Sequence, residues 1–321
     1  MRQRFLKFGY FLVLGLSVAI FNSCGDDDEP QPNEAGITSL NASKISNIIF
    51  GEEISLAAQS EGSVYQWSCD GTPIQQNGSQ IKWVAPNKVG TYTITVSNGG
   101  QSTQKEELDV VGLFYDEFLD MKNAWSKSSY STATIVNGCA LLTNSSTTAQ
   151  ASLGYIFPQT ISLPFSFKTK VAVTAENWND LPTGFSYSFY CDFLKPDNAD
   201  KYIRNIYVGV NPISRTWRVR YGIRESNNTQ YFDLDENSRG TRIIFEALEK
   251  MTTVSMSITE NYLLQFFVNG EEIYQTSELT YILQDLGQEV VVLESFSYVI
   301  APSSKLLIDN FYFTNDNTIL K

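Results

Sequence analysis

Histidine is absent from this 321-residue sequence, and charged residues make up only 18% of it. The lack of histidine excludes every Ser-His-Asp or Cys-His nucleophile system and every histidine-ligated zinc or iron site within this chain. It also removes the side chain that most often transfers protons near neutral pH. Any chemistry that the chain performs must therefore use carboxylates, tyrosine or lysine.

Basic residues are also scarce. The 23 Lys and Arg residues face 35 Asp and Glu residues, which gives a formal net charge of −12. Since nucleic-acid binders need positive surface, we predict that nucleic acid is not a partner. The sequence is nevertheless 42% hydrophobic and 13% aromatic, which is far too apolar for a disordered chain. Its length allows one large domain or two ordinary ones.

Long hydrophobic runs are missing as well. The longest apolar run, Phe8 to Phe21, follows a basic start at residues 2–7 and is too short to span a bilayer. It fits the central region of a secretory signal. Ser23 and Cys24 come next, and an acidic run occupies residues 26–29. This pattern resembles a bacterial lipoprotein signal with the surface-export signal of Bacteroidetes lipoproteins, in which Cys24 becomes the lipidated first residue.

The resemblance implies that residues 1–23 are removed. It also implies that the protein lies in the outer membrane, lipid-anchored and facing the cell exterior, with the lipid as its only membrane contact. The alternative is a simple secretory signal with a chance cysteine. Removal takes away three basic residues and no acidic ones, so the formal net charge moves from −12 to −15.

Few cysteines are left after Cys24. Cys69, Cys139 and Cys191 are an odd number, so at least one of them stays unpaired. Two interpretations stay open: Cys139 and Cys191 form a disulfide, or the cysteines are buried free thiols. Residues 24–35 are acidic, contain two prolines and lack aromatics, so we predict a flexible tether there.

Residues 36–111 show short runs of alternating apolar and polar side chains, such as Tyr92–Val96. Turn residues such as Asn77-Gly78 separate these runs, which predicts a small β-sandwich with Trp67 and Trp83 in its core. The sequence segments around Trp67, Trp83 and Tyr92–Val96 resemble those of bacterial Ig-like and PKD-type domains. Such domains usually act as spacers or adhesive modules.

Residues 112–321 contain at least nine strand candidates, and the only helical periodicity lies near Thr241–Lys250. This spacing predicts a large antiparallel sandwich or jelly roll, with Asn269-Gly270 as one hairpin turn. The sequence segments Phe114–Phe118, Val254–Ile258 and Leu306–Phe313 resemble those of concanavalin A-like lectin and glucanase domains, including laminin-G-like relatives.

The two resemblances together imply an all-β chain, in which a small Ig-like β-sandwich is followed by a larger concanavalin A-like jelly roll. They also imply a polysaccharide or oligosaccharide as partner. The large scaffold hosts glycan-binding proteins as well as glycosidases and lyases, so a glycan-cleaving enzyme and an adhesion or structural protein stay as alternatives.

The carboxylate pattern Glu-x-Asp-x-x-Glu of glycosidases on this scaffold has no match in the sequence. The nearest feature is Asp233 and Asp235, which would share one strand face at about 7 Å. Aspartates at strand ends are more often solvated or paired with cations. We therefore predict no catalytic residue.

A basic segment stands out from the acidic chain. Residues 201–224 contain six Lys and Arg residues and no acid. Because Arg218 and Arg220 alternate with apolar residues, they should share one strand face. We predict that they bind a ligand together with Tyr202 and Arg204, and that an acidic glycan would fit, since arginine pairs with carboxylate or sulfate.

The basic segment also has a purely structural reading. If residues 226–229 form a four-residue hairpin loop, Arg220 faces Asp235 and the arginines neutralise a neighbouring strand. The ligand-binding and neutralising readings both stay open at this point.

Trp178 lies in a polar stretch between strand candidates, so it is a further candidate ligand contact. The alternative is a tryptophan that folds back to cap the sandwich. Trp125 is expected in the core.

The jelly-roll resemblance also implies a possible structural calcium ion. In several such carbohydrate-binding families an aspartate of the last strand joins ligands near the first strand, which corresponds to Asp309 and Asp116 here. The alternative is that Asp309 binds a neighbouring backbone turn.

Overall fold

The computed structural model describes residues 36–60, 64–98, 103–121, 125–175, 178–182, 184, 186–242, 244 and 246–321. The predicted signal, Cys24 and the predicted tether lie outside these residues. Among the described residues, no helix combines the length and apolar character that a membrane crossing requires.

The first part of the described chain forms two β-sheets that enclose one hydrophobic core. Its strands are β1 (Ile37–Ala42), β2 (Ile48–Ile49), β3 (Glu53–Ser60), β4 (Gln66–Cys69), β5 (Thr72–Ile74), β6 (Gln80–Val84), β7 (Gly90–Ser97) and β8 (Thr103–Gly112). One sheet has the order β1-β3-β6 and the other the order β2-β8-β7-β4-β5. Trp67 and Trp83 are 2% and 7% exposed, so their predicted core positions are confirmed.

The second part forms a larger sandwich of two antiparallel sheets. Its strands are β9 (Phe114–Asp116), β10 (Trp125–Lys127), β11 (Ser131–Val136), β12 (Cys139–Asn144), β13 (Ala151–Ser162), β14 (Phe165–Val173), β15 (Tyr187–Phe193), β16 (Lys201–Asn211), β17 (Thr216–Glu225), β18 (Asn228–Asp233), β19 (Arg239–Thr241), β20 (Thr252–Ile258), β21 (Leu264–Val268), β22 (Glu271–Thr276), β23 (Val292–Ile300) and β24 (Lys305–Thr314). A short 3-10 helix spans Trp178–Asp180, and helix α1 spans Glu278–Asp285.

The two large sheets have distinct strand orders. Within the described residues, one runs β10-β13-β23-β15-β16-β17-β18 with β19 added to β17. The other runs β11-β12-β24-β14-β20-β21-β22 with β9 added to β24. We call them the first and the second large sheet. The predicted all-β fold, a smaller sandwich followed by a larger jelly roll, is confirmed.

Aromatic side chains fill the space between the two large sheets. Phe296 of the first large sheet lies 4.7 Å from Phe167 and 4.6 Å from Phe311 of the second, measured between ring centroids. All three side chains are fully buried. Trp125 is also buried, as predicted. Such burial contributes about 1.5–3 kcal/mol per large apolar side chain, so this layer is a main source of the sandwich's stability.

The predicted hairpin turn at Asn269-Gly270 is confirmed, because both residues have positive φ and Val268 pairs with Glu271. The predicted short helix near Thr241–Lys250 is wrong for the described residues of that stretch. Glu249 has a φ of 59° and its amide donates to the carbonyl of Val173 over 2.8 Å. Attachment to the end of β14 therefore replaces helical hydrogen bonds there.

The junction of the two sandwiches is close-packed. Gly112 has a φ of 148°, and a Cβ atom there would lie 2.3 Å from the carbonyl oxygen of Phe313, so only glycine fits. Asn47 of the small sandwich donates to Glu117 over 2.7 Å, and Asp316 accepts the amide of Val89 over 2.7 Å. The predicted domain limits themselves stay a prediction.

Candidate ligand-binding cavity

An open cavity of about 690 Å³ lies on the outer face of the first large sheet, over β15, β16 and β17. This volume is within the usual range for small-molecule sites. The alternation of β15 explains the composition of this face. Tyr187 and Phe189 point into the core and are buried, whereas Ser188 and Tyr190 point outward and line the cavity.

A row of cross-strand neighbours forms one side of the cavity. Tyr190 pairs with Tyr207, Tyr207 with Arg220, and Arg220 with Asp233. The rings of Tyr190 and Tyr207 stack with centroids 4.6 Å apart and an interplanar angle of 13°. The ring of Tyr231 meets Tyr207 edge-on at 5.4 Å. This row therefore joins an aromatic platform to a charged pair.

The next row is built from small residues at its centre. Ser188 pairs with Gly209, Gly209 with Arg218, and Arg218 with Arg239 of β19. A Cβ atom on Gly209 would lie 3.4 Å from Ser188 Oγ and 3.5 Å from the ring of Tyr207. The short side chains at these two positions leave the floor open between the tyrosines and the arginines.

Three arginines surround one aspartate at the edge of this cavity. Asp233 Oδ1 lies 3.3 Å from Arg218 Nε and 3.2 Å from Arg220 Nε, and Asp233 Oδ2 lies 3.7 Å from Arg239 Nη1. We call Arg218, Arg220 and Arg239 the arginine cluster. One carboxylate balances only one of the three guanidinium charges, so the cluster keeps a local excess of two positive charges.

The members of the arginine cluster differ in their freedom. Arg220 donates to the hydroxyl of Tyr207 over 3.1 Å and to the carbonyl of Tyr231 over 2.7 Å, which fixes its guanidinium. The side chains of Arg218 and Arg239 are 44% and 61% exposed. Arg220 therefore holds the cavity wall, and the other two present guanidinium groups to solvent.

Burial raises the pKa of both stacked phenols above the usual tyrosine range. Desolvation is the main cause at Tyr190 and at Tyr207, and at Tyr207 the neighbouring Arg220 opposes it in part. Both hydroxyls therefore stay protonated near neutral pH. The positive charge of the cavity is not offset by phenolate.

The β17–β18 hairpin is tighter than the four-residue loop considered above. Glu225 pairs with Asn228, so the loop has two residues, and Ser226 adopts a left-handed conformation with a φ of 52°. Arg220 consequently faces Asp233 and not Asp235. The expected pairing of Arg220 with Asp235 is wrong, although a neutralising carboxylate is present.

Asp233 and Asp235 do not form a pair. Asp233 contacts the arginine cluster, whereas Asp235 Oδ2 accepts a hydrogen bond from the hydroxyl of Tyr274 over 2.8 Å. Asp235 Oδ1 accepts the amide of Asn237 over 2.8 Å. The shared strand face expected from their spacing is absent, because β18 ends at Asp233.

Arg204 and Tyr202 do not line the cavity. Arg204 lies 3.2 Å from Glu294 and 3.7 Å from Asp192, and it donates to the carbonyl of Phe193 over 2.9 Å. Burial raises the pKa of Asp192, with Arg204 opposing this shift. Tyr202 is only 8% exposed. The structure thus brings together Arg218 and Arg220 and places Arg204 and Tyr202 apart from them.

Trp178 starts the short 3-10 helix and is 36% exposed. It lines a second cavity of about 420 Å³ together with Ile213 of the β16–β17 turn. Asn211 lines both this cavity and the larger one. The ligand contact at Trp178 stays a prediction.

The two aspartates suggested for calcium have separate structural partners. Asp116 is 5% exposed, and its two oxygens accept hydrogen bonds of 2.7 Å from the amide of Phe118 and from Trp125 Nε1. Asp309 is half-buried on β24, where it pairs with Lys170 and accepts a hydrogen bond from the side-chain amide of Asn310. Desolvation raises the pKa of Asp309, and Lys170 opposes this.

The described residues contain no group of three or more His, Cys, Asp or Glu side chains placed to hold a metal ion. In the same part of the chain, Cys69, Cys139 and Cys191 are free thiols, so Cys139 and Cys191 do not pair; only Cys191 is buried, and the other two are half-buried.

Several cavity residues were missed by the sequence analysis. Tyr190 and Tyr207 each sit at outward positions of alternating strands, and that alternation was visible. Their stacking depends on the β15–β16 register, which one strand pattern does not reveal. Arg239 lies opposite Arg218 because β19, which follows β18 in the chain, also pairs with β17. The local sequence does not reveal this second pairing.

No protein-family model matches the chain, and no curated protein matches it either. Among solved structures, a Bacillus subtilis protein of unknown function with a galectin-like fold is similar, with 8% identity and a TM-score of 0.45 over 64% of this chain and 96% of that one. A structure from work on endo-acting O-glycanases of the human gut microbiota has 10% identity and a TM-score of 0.45 over 64% and 100%.

A carbohydrate-binding module from Bacillus subtilis has 7% identity and a TM-score of 0.37 over 60% of this chain and 96% of that one. With TM-scores below 0.5, these similarities assign neither a family nor a ligand to this chain.

Proposed function

We propose that this protein binds a polysaccharide or oligosaccharide, and that the ligand is acidic. The observation that carries the proposal is the arginine cluster, which surrounds a single aspartate beside the stacked Tyr190–Tyr207 pair. Guanidinium groups pair with carboxylate or sulfate through two parallel hydrogen bonds. Tyrosine rings offer an apolar face with a polar edge, which suits a sugar ring.

A glycan array tests this proposal. We expect the protein to retain glycans that carry uronate or sulfate groups more strongly than neutral glycans of similar length. The Debye length is about 10 Å at 0.1 M salt, so the local excess of positive charge should dominate at contact distance even in an acidic chain. Retention of neutral glycans alone, or of none, would contradict the proposal.

The contacts of Asp233 and Asp235 support binding of the glycan without cleavage. Asp235 accepts hydrogen bonds from Tyr274 and Asn237, and Asp233 forms ion pairs with the arginine cluster. We therefore expect no turnover of the oligosaccharides that the protein binds. Incubation with a bound oligosaccharide, followed by chromatography, should show no products after many hours.

The same incubation separates the enzymatic alternative. Product formation by the wild type that disappears in Asp233→Asn or Asp235→Asn would establish a glycan-cleaving enzyme and overturn the expectation. Asp192→Asn is the matched control, because Asp192 is a carboxylate of the same sheet that does not line the cavity.

The location proposed for the protein is the outer surface of the outer membrane, with Cys24 as the lipidated residue. The support is the sequence of residues 2–29, which lie outside the described structure. In this arrangement residues 24–35 form a tether and the small sandwich is a spacer that holds the cavity away from the membrane.

Replacement of Cys24 by alanine should leave the protein unlipidated. Two acyl chains are enough for stable anchoring, so detergent partitioning should move the variant from the detergent phase to the aqueous phase. Cys139→Ala, which also removes one thiol, should stay in the detergent phase. A Cys24→Ala protein that still partitions like the wild type would disprove the lipid anchor.

A further inference from the structure

The two cavities of the first large sheet meet at one residue. Asn211, the last residue of β16, lines both the cavity with the arginine cluster and the cavity with Trp178. Two residues that lie close together in the chain before β15 also line different cavities: Ser186 lines the larger one and Gly184 lines the smaller one. The two hollows are therefore neighbouring parts of one open surface.

The rim between the cavities is a defined turn. Asn211 Oδ1 accepts the amides of Ile213 and Ser214 over 3.0 and 2.9 Å. The hydroxyls of Ser214 and Thr216 lie 2.8 Å apart and close the same turn. These bonds hold Ile213, which is 46% exposed, on the wall of the smaller cavity beside Trp178.

The chemistry changes along this surface. The larger cavity contains all three residues of the arginine cluster. The smaller cavity is lined by Trp178, Asn179, Leu181, Gly184, Asn211, Ile213 and Ser214. None of these described side chains is charged, so this part of the smaller cavity suits the face of a ring and supplies no cation from its described residues.

The distance between the two regions exceeds one sugar ring. Tyr207, opposite Arg220, lies four residues before Asn211 on β16. At about 3.3 Å per residue this is roughly 13 Å, whereas Gly209, opposite Arg218, lies only two residues or roughly 7 Å before Asn211. Trp178 lies beyond Asn211, so a ligand that extends from the Tyr207–Arg220 row to Trp178 must contain several sugar units.

We infer that the protein recognises an extended segment of an acidic oligosaccharide, with an anionic group at the arginine cluster and an uncharged ring face stacked at Trp178. The inference rests on the proposed function and adds a second subsite with its own chemistry. A ligand of one or two units fills only the cationic subsite. A longer ligand crosses Asn211 and also covers Trp178.

The test compares oligogalacturonates from dimer to hexamer by calorimetric titration of the full chain. For the wild type we expect the affinity to rise by about ten-fold or more between dimer and hexamer. Trp178→Ala should remove about five-fold or more of that gain, since an aromatic contact contributes on the order of 1 kcal/mol. The same variant should bind the dimer as well as the wild type.

Two further variants make the result specific. Tyr281→Ala removes an aromatic side chain that is 59% exposed on α1 and lines neither cavity, so it should bind every oligomer like the wild type. Ile213→Ser changes another apolar side chain that lines the smaller cavity and should weaken the hexamer selectively. This second variant keeps the test decisive if Trp178→Ala does not fold.

The outcomes are distinguishable. Equal affinity of the wild type for dimer and hexamer, or an equal loss for both oligomers in Trp178→Ala and Ile213→Ser, overturns the second subsite and leaves the proposed function intact. Absence of binding by every oligogalacturonate overturns the extended uronate ligand inferred here, whereas the glycan array, which also carries sulfated glycans, decides the proposed function separately.

Discussion

Replacing Arg218 with alanine is expected to weaken the binding of an acidic oligosaccharide by ten-fold or more and to leave the domain folded. A charge-assisted hydrogen bond contributes about 1.5–3 kcal/mol, and about 1.4 kcal/mol corresponds to a factor of ten in affinity. Arg218 is the suitable target because its side chain is 44% exposed and lines the cavity. Arg220 is bound by Tyr207 and Tyr231, so its loss would also disturb the wall.

Arg224→Ala is the matched control for this prediction. Arg224 lies on the same strand and the same outward face, about 20 Å from Arg218 at 3.3 Å per residue. It does not line the cavity, yet its removal changes the net charge equally. Titrations at two salt concentrations should show a strong salt dependence for the wild type and Arg224→Ala, and a weaker one for Arg218→Ala.

The neutralising role of Arg218 gives the opposite result. If Arg218 only balances Asp233, its removal should lower the melting temperature and leave glycan affinity unchanged. Arg220 and Arg239 would still contact Asp233, at 3.2 and 3.7 Å, so the stability loss should be small. An affinity that is unchanged and independent of salt would reject the acidic ligand at this cavity.

Asp233 has a consequence for how an anion binds here. The ligand must compete with this carboxylate for guanidinium groups that are already paired, which lowers the net gain from each new hydrogen bond. The exposed parts of Arg218 and Arg239 are therefore the groups most available for hydrogen bonds to a ligand. This internal counter-ion explains how a dense arginine cluster is stable in the free protein.

The shared face of Arg218 and Arg220 was predictable because strand alternation depends only on the local sequence. Val219 between them and Trp217 before them are buried, as the period of two requires. What they face across the hairpin was not predictable in the same way. The register depends on whether the loop has two or four residues, and Ser226 accepts the left-handed conformation of the shorter loop.

Other parts of the site depend on contacts between distant segments. Tyr190 stacks on Tyr207 because β15 pairs with β16, and Trp178 lines one cavity together with Ile213 of the β16–β17 turn. No local pattern encodes these meetings. Helix α1 was missed for a different reason: Leu279, Ile282, Leu283 and Leu286 follow the i, i+3, i+4, i+7 spacing of an amphipathic helix, so its signal was present in the local sequence and was overlooked.

Replacing Asp116 with alanine is expected to destabilise the large sandwich by about 3 kcal/mol or more. The carboxylate accepts hydrogen bonds of 2.7 Å from the amide of Phe118 and from Trp125 Nε1, deep in the aromatic core. Alanine would leave both donors buried without this acceptor, and each such donor costs about 1–3 kcal/mol. Chemical denaturation followed by tryptophan fluorescence measures the change.

The same measurement decides between a structural carboxylate and a calcium ligand. If Asp116 acts only through Phe118 and Trp125, calcium and a chelator should both leave the wild-type midpoint unchanged, and Asp309→Asn should cost far less than Asp116→Ala. Asp309 is half-buried, and its partners are Lys170, which is exposed on β14, and Asn310, which is half-buried on β24. A bound ion would instead stabilise the folded state in proportion to the logarithm of its concentration. A chelator would then destabilise the wild type, and calcium would no longer stabilise either variant, which would return Asp116 and Asp309 to a shared site.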